Sequence, residues 1–173
     1  MMDKFKAVRC GSNKPTPYLR KHVDLLTECA PDNGHVVDIG CGEGRNSRFL
    51  MDMGMGVMSL DGKGDFGIKW MADQIIPTES GSADCILCNY FLMFLPEHAR
   101  NDVYKEMTRI AHKGTRLMIE LENVKQSLAC TKEKLAALNV EVIESLQDLG
   151  WKLIQGKKDH LIFARAADWV VNK

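Results

Sequence analysis

Asp38 and the three glycines after it are the first residues whose types and spacing suit chemistry. The stretch reads Val36-Val37-Asp38-Ile39-Gly40-Cys41-Gly42-Glu43-Gly44. Glycine permits a sharp turn and admits a ligand where a Cβ would collide. The next segment, Arg45 to Met53, has helical character, and a helix start aims unpaired N–H groups at the same place. The spacing is G-x-G-x-G, whereas the dinucleotide fingerprint is G-x-G-x-x-G. A carboxylate two residues before the first glycine disfavours a dianionic pyrophosphate and favours a cation or an ammonium group. The stretch therefore suits a positively charged ligand with a small polar tail. A ligand-free turn between a strand and a helix would use the same glycines, so the flanking segments have to decide.

Those segments describe an open α/β sheet. An apolar run, a glycine turn and a helix form its opening unit, and ligands of such sheets lie beyond the carboxyl ends of the strands where strand order reverses. Tyr18 to Cys29 reads as an amphipathic helix with Leu19, Val23, Leu26 and Cys29 on one face. Pro31 to Gly34 is a turn into strand 1. In the helix after the glycines, Phe49, Leu50 and Met53 can face the sheet, with Gly54 at its C-terminal cap. Strand 2 is Gly56 to Leu60, closed by Asp61. Only Gly62 to Gly67 separates Asp61 from the strand-like run Ile68 to Met71, whereas a parallel crossover normally takes about a dozen residues. The helix after strand 2 is thus expected to be missing or reduced to a turn, with strand 3 displaced, antiparallel or absent.

Strand 4 spans Asp84 to Asn89. Cys85 and Cys88 lie three apart on it and point to opposite faces, so they are core residues and no metal or redox pair. A helix at Asp102 to Ala111, a turn at His112 to Thr115 and strand 5 at Arg116 to Leu121 follow. Thr131 caps a helix running to about Leu149. Trp151 to Gln155 and His160 to Ala164 flank a turn and read as an antiparallel hairpin.

Composition sets the outer limits. The chain has 173 residues, which suits a single domain over 1–173, with an irregular basic arm at 1–16 and a core at 17–166. Lys+Arg and Asp+Glu both number 23, so bulk charge does not indicate nucleic acid. Lys4, Lys6, Arg9 and Lys14 make the arm basic, and it is read as solvated. No apolar run approaches the roughly 20 residues that span a bilayer. The six cysteines form no compact disulfide framework, which points to free thiols and a cytoplasmic setting.

Four marks in order, the glycine turn, Asp61, Asp73-Gln74-Ile75 and Asp84 to Asn89, resemble the class I S-adenosylmethionine-dependent methyltransferases. The resemblance is to small methyltransferases, including the tellurite-resistance type. The resemblance covers about Tyr18 to Ala166 and implies a Rossmann-like, doubly wound, mostly parallel sheet with a C-terminal antiparallel hairpin. It implies S-adenosylmethionine as cofactor, with contacts from Asp38, Gly40, Cys41, Gly42, Gly44, Asp61, Gly62, Asp73, Gln74, Ile75, Asn89 and Tyr90. In that scheme Asp61 accepts from the ribose hydroxyls and Asp73 reads the adenine amino group. Asn89 and Tyr90 face the glycine turn across the switch point. Tyr90 is the candidate near the methyl group, since an aromatic face attracts a sulfonium by about 0.5–2 kcal/mol; Phe91, Leu92 and Leu95 are read as core.

The implied reaction is an in-line displacement that needs alignment of acceptor and methyl more than a dedicated base. Glu120 and Glu122 could approach the acceptor, although an acid near a sheet end is common without any function, while His22 and His98 are read as surface histidines. No acceptor can be read. The short flanking segments favour a small molecule, or help from a second copy or a partner subunit. A non-catalytic S-adenosylmethionine-binding partner or sensor is the alternative. A nicotinamide dinucleotide enzyme is disfavoured by Asp38 and the glycine spacing.

Overall fold

The computed structural model describes residues 14–121, 131–157 and 159–166. Seven strands form one sheet in the order β3-β2-β1-β4-β5-β7-β6. The strands are β1 (His35–Ile39), β2 (Gly56–Asp61), β3 (Ile68–Lys69), β4 (Ala83–Asn89), β5 (Ala111–Glu120), β6 (Trp151–Lys157) and β7 (His160–Arg165). β3, β2, β1, β4 and β5 run parallel to one another. β7 inserts antiparallel between β5 and β6. Strand order reverses between β1 and β4, so the crevice expected at a switch point opens beyond Ile39 and Asn89.

Alternation along the central strands sends apolar side chains to both faces, as a sheet covered on both sides requires. Val37, Ile39, Ile86, Cys88, Leu117 and Ile119 pack on one face against α3 (Glu97–Ile110) and α4 (Lys132–Asp148). Val36, Cys85, Leu87 and Met118 pack on the other against Leu19 and Leu26 of α1 (Pro17–Thr27) and Leu50 of α2 (Arg45–Asp52). Cys85 and Cys88 thus fall in separate halves of the core, as the period of two requires. Among the described residues no cluster of side chains could hold a metal ion, and no helix is long and apolar enough to cross a membrane.

Several boundaries differ from expectation. α1 begins at Pro17, capped by Thr16, whose hydroxyl accepts the Leu19 N–H; a proline at the first helical position suits such a start. The helix kinks at His22, and Cys29 lies past its end, exposed. In α2 the buried stripe is Asn46, Ser47 and Leu50, while Met53 stands at the C-cap and is 46% exposed. α3 starts at Glu97 and runs directly into β5. The expected turn at His112 to Thr115 therefore lies inside that strand, as an irregularity between the Ala83–Ala111 and Cys85–Arg116 pairs. Gly114, with φ +98°, supplies the bend.

The crossover from β2 to β3 is parallel although it has no helix. β3 is only two residues long, against the four anticipated. Glycine makes the short connection feasible. Gly67 adopts φ +82° against the backbone of Ser59, and Gly64 passes so close to Gly42 that a Cβ would collide with that residue's carbonyl.

Candidate functional site

The glycine turn is built from backbone hydrogen bonds that leave one face open. The N–H groups of Gly40 and Cys41 both donate to the Leu60 carbonyl, at 2.8 and 3.0 Å, tying the turn to the end of β2. Gly40, Gly42 and Gly44 all have positive φ, at +73°, +56° and +76°. Their surroundings differ. A Cβ on Gly40 would lie 2.6 Å from Phe91, and one on Gly44 would lie 2.5 Å from Cγ of Phe66. A Cβ on Gly42 would meet nothing within 4 Å, so its backbone is open to a ligand.

Asp38 does not face that opening. It is 2% exposed, and Ser47 Oγ of α2 donates to it at 2.6 Å, with Ser59 Oγ donating in turn to Ser47 at 2.8 Å. Burial pushes its carboxyl up to about 6, against the pull of the Ser47 bond. The side chain expected to favour a cationic ligand instead ties β1 to α2 and, through Ser47, to β2. Cys41 is also turned away. Its thiol lies 3.5 Å from the Phe66 carbonyl, and burial, followed by the neighbouring Asp38 and Asp61, pushes it up to about 12.

Asp61 closes β2 beside the turn. Its Oδ2 accepts the Gly42 N–H at 3.0 Å, and its Oδ1 accepts the N–H groups of Lys63 and Gly64, both at 2.7 Å. Each carboxylate oxygen has two acceptor positions. Of the two ribose contacts anticipated for Asp61, Oδ2 has room for one, because Oδ1 is occupied by its own loop. Phe66 then packs onto Gly44, with the Arg48 guanidinium 4.4 Å from its ring centroid. This ring fills the space that a longer crossover would cover, and sequence reading missed it. Gly62 sits against Met71, whose sulfur would be 2.7 Å from a Cβ there.

Asp73, Gln74 and Ile75 form an exposed turn after β3, with Ile75 75% exposed. Gln74 closes that turn: its Oε1 accepts the Met71 N–H at 2.9 Å, and its carbonyl accepts the Trp70 indole N–H at 3.1 Å. Asp84, one of the four marks, is at the opposite end of β4, where it accepts the His35 N–H and pairs with His112. It supports the sheet and is remote from the crevice.

Asn89 and Tyr90 lie at the carboxyl end of β4, but their polar atoms turn toward β5. Asn89 Nδ2 donates to Glu120 Oε1 at 2.9 Å, and the Tyr90 hydroxyl donates to Oε2 at 2.8 Å. Tyr90 holds φ +57°, a conformation uncommon for a bulky residue, and its N–H donates to the Glu120 carbonyl at 2.8 Å. The Arg45 guanidinium, at the start of α2, is 5.7 Å from its ring centroid. Phe91, not Tyr90, covers the glycine turn; Leu92 is fully buried, and Phe91 and Leu95 pack against the core at its rim.

Glu120 is the hub of this region and is fully buried. The Thr16 hydroxyl also donates to its Oε1, and His160 Nε2 is 3.6 Å from Oε2. Burial raises its carboxyl above the usual range despite the Thr16 and Tyr90 bonds and the charges of His160 and Arg45. Tyr18 stacks its ring 4.6 Å from both His22 and His160, and Gln155 Nε2 reaches the Tyr18 hydroxyl at 3.3 Å. His22 therefore belongs to a packed cluster, where burial lowers its pKa; His98 is exposed. Thr16, Gln155 and His160 were missed from sequence because they meet Glu120 and Tyr18 only through tertiary contacts. The Thr16-Pro17 pair carried a local signal, that of a helix cap. Glu122 and the basic residues Lys4, Lys6 and Arg9 lie outside the described residues.

A family model described as a methyltransferase domain matches residues 37–119. No curated protein matches the chain in sequence. Solved structures with the same fold include a SAM-dependent methyltransferase from Methanosarcina mazei, 15% identical, with TM-score 0.62, covering 90% of this chain and 100% of that one. A TehB-like SAM-dependent methyltransferase from Corynebacterium glutamicum is 16% identical, with TM-score 0.60 and coverage of 83% and 86%. The 1,6-didemethyltoxoflavin-N1-methyltransferase of Burkholderia thailandensis, solved with its substrate and S-adenosylhomocysteine, is 15% identical, with TM-score 0.60 and coverage of 88% and 79%.

Proposed function

We propose that this chain, a class I S-adenosylmethionine-dependent methyltransferase, methylates a small-molecule acceptor bound beyond the carboxyl ends of β4 and β5. The observation that carries the cofactor reading is the pairing of Asp61 with the Gly42 N–H beside the open face of Gly42. This joins an acid at the end of β2 to a glycine turn at the switch point, with room for a ligand against the backbone. A small acceptor is in keeping with the balanced charge of the chain and with the 1,6-didemethyltoxoflavin bound by the Burkholderia thailandensis neighbour.

S-adenosylmethionine supplies an electrophilic methyl group on a sulfonium that becomes a neutral thioether on transfer. The chain's own residues would bind and orient it. Asp61 Oδ2 and the Gly42 backbone would hold the ribose end, the exposed Asp73 carboxylate and Ile75 side chain would flank the adenine end, and Tyr90 would lie on the side of the methyl group. Alignment of acceptor and methyl is the main requirement for such a displacement.

Calorimetric titration with S-adenosylmethionine and S-adenosylhomocysteine tests this reading. Micromolar binding is expected, weakened about tenfold or more in both Asp61→Ala and Asp73→Ala. Asp73→Ala is the cleaner variant, since Asp61 also holds its own loop. Absence of binding by a folded sample sinks the cofactor reading. Binding without methyl transfer across a broad acceptor panel would favour a non-catalytic role. Sedimentation of the same samples reads whether a second copy joins the site.

A further inference from the structure

Resting on that cofactor reading, we propose that Asn89 and Glu120 form the receptor for an ammonium group, and that the acceptor is a primary or secondary amine whose proton Glu120 removes. One unspent acceptor, beside a buried carboxylate, carries the inference. Asn89 is 93% buried by the complement of its 7% exposure, and its Oδ1 has no hydrogen-bond partner. Its orientation is set, because Nδ2 donates to a carboxylate that offers only acceptors. An enclosed carbonyl oxygen without a donor is costly, so a donor from a bound molecule is the natural completion.

Beside it, Glu120 is a buried carboxylate whose hydrogen-bond donors, Thr16, Asn89 and Tyr90, are all neutral. His160 stands 3.6 Å off, and Arg45 acts from beyond the Tyr90 ring. A carboxylate so placed is stabilised most by a cation that also brings N–H donors. An ammonium offers several N–H groups and the charge together. A hydroxyl or a thiol offers one donor and no charge, and an anion would be repelled. The Thr16 hydroxyl can yield its place on Oε1, since it retains its other bond, from the Leu19 N–H.

The same arrangement supplies the step that an ammonium needs before it can react. One N–H bond breaks, its proton joins a Glu120 oxygen, and the electron pair stays on nitrogen as the nucleophilic lone pair. Glu120, now a neutral acid, returns the proton through His160, whose side chain is 30% exposed and reaches solvent. Burial raises the Glu120 carboxyl above the usual range, which makes its ionised form a stronger proton acceptor.

The test is calorimetric titration of the protein loaded with S-adenosylhomocysteine, using benzylamine, benzyl alcohol and benzoate in turn. Benzylamine is expected to bind, benzyl alcohol and benzoate far more weakly. Glu120→Gln, which keeps the shape and loses the charge, should weaken benzylamine about 10- to 100-fold while leaving S-adenosylhomocysteine affinity within about threefold. That retained affinity shows the variant is folded. Equal binding of benzylamine and benzyl alcohol, or of benzylamine to both proteins, overturns the proposal. So does competition between benzylamine and S-adenosylhomocysteine, which would assign the ammonium receptor to the cofactor's own amino group. If S-adenosylhomocysteine does not bind at all, the cofactor reading fails on its own. Benzylamine binding to the free protein that is lost in Glu120→Gln would then still uphold the ammonium receptor.

Discussion

Replacing Gly44 by alanine should cost two separable amounts. Residue 44 holds φ +76°, where an L-residue with a Cβ is strained by about 1–2 kcal/mol. The new methyl would also strike the Phe66 ring, with Cγ only 2.5 Å away, and forcing that ring aside adds a further 1–3 kcal/mol or so. The ring cannot retreat freely, since it is pinned by Arg48 on one side and held through Asp61 by the Lys63 and Gly64 amides. Phe66→Ala removes the obstacle and loses about 1–2 kcal/mol of its own, since the ring is only partly buried. In that background Gly44→Ala should cost only the backbone share. Urea unfolding of the wild type, both single variants and the double variant closes the cycle, with an expected coupling of about 1–3 kcal/mol. Strict additivity within about 0.5 kcal/mol would refute the claim that Phe66 completes the glycine turn.

Three further outcomes are expected. Asp38 has its carboxyl raised from 3.8 to about 6, so the folded state binds the extra proton, and stability contributed at low pH is lost as pH rises from about 4 to about 6. Asp38→Asn should flatten that decline, by about 2–3 kcal/mol, in unfolding free energies measured across the range; an unchanged slope would contradict the burial argument. Thr16→Val removes the helix cap and the bond to Glu120, and should lower stability by about 1–2 kcal/mol while speeding amide exchange in Pro17–Thr27; protection left intact there would show that α1 is held by packing alone. In native labelling with a thiol reagent at pH 8, mapped by mass spectrometry, Cys29 should react before the other described cysteines, Cys41, Cys85 and Cys88, which should react only on unfolding because burial raises those three thiols.

What could be read from sequence was what is local. The glycine turn, the acid closing β2, the period of two that separates Cys85 from Cys88 and the hairpin after Gly150 are all written within short windows. Boundaries failed where two signals competed. His112 to Thr115 reads as a turn because it contains Gly114, yet β5 absorbs it as an irregularity. α3 begins at Glu97, with Pro96 at its N-cap, ahead of the expected start at Asp102. Site residues failed where partners are distant in the chain. Thr16 and Glu120 are 104 residues apart, and no pattern along the sequence joins them. Asp38 reads as a site residue, and the structure shows its carboxylate buried against Ser47. Nothing local reveals that Ser47 and Ser59 turn its carboxylate inward.

The two-residue β3 also bears on how the sheet ends. A sheet margin exposes unpaired N–H and C=O groups that another chain can extend, and long, flat margins invite aggregation. Here one margin is β3, too short to serve as a template, with Lys69 on it and Gly67 bending the chain just before it. The opposite margin, β6, carries Lys152 and Lys157 and a register shift between Leu153 and Gln155 that interrupts its ladder. Shortening the crossover to a glycine loop thus leaves the sheet blunted on its β3 side. A variant that lengthens β3 would be expected to trade that protection for self-association.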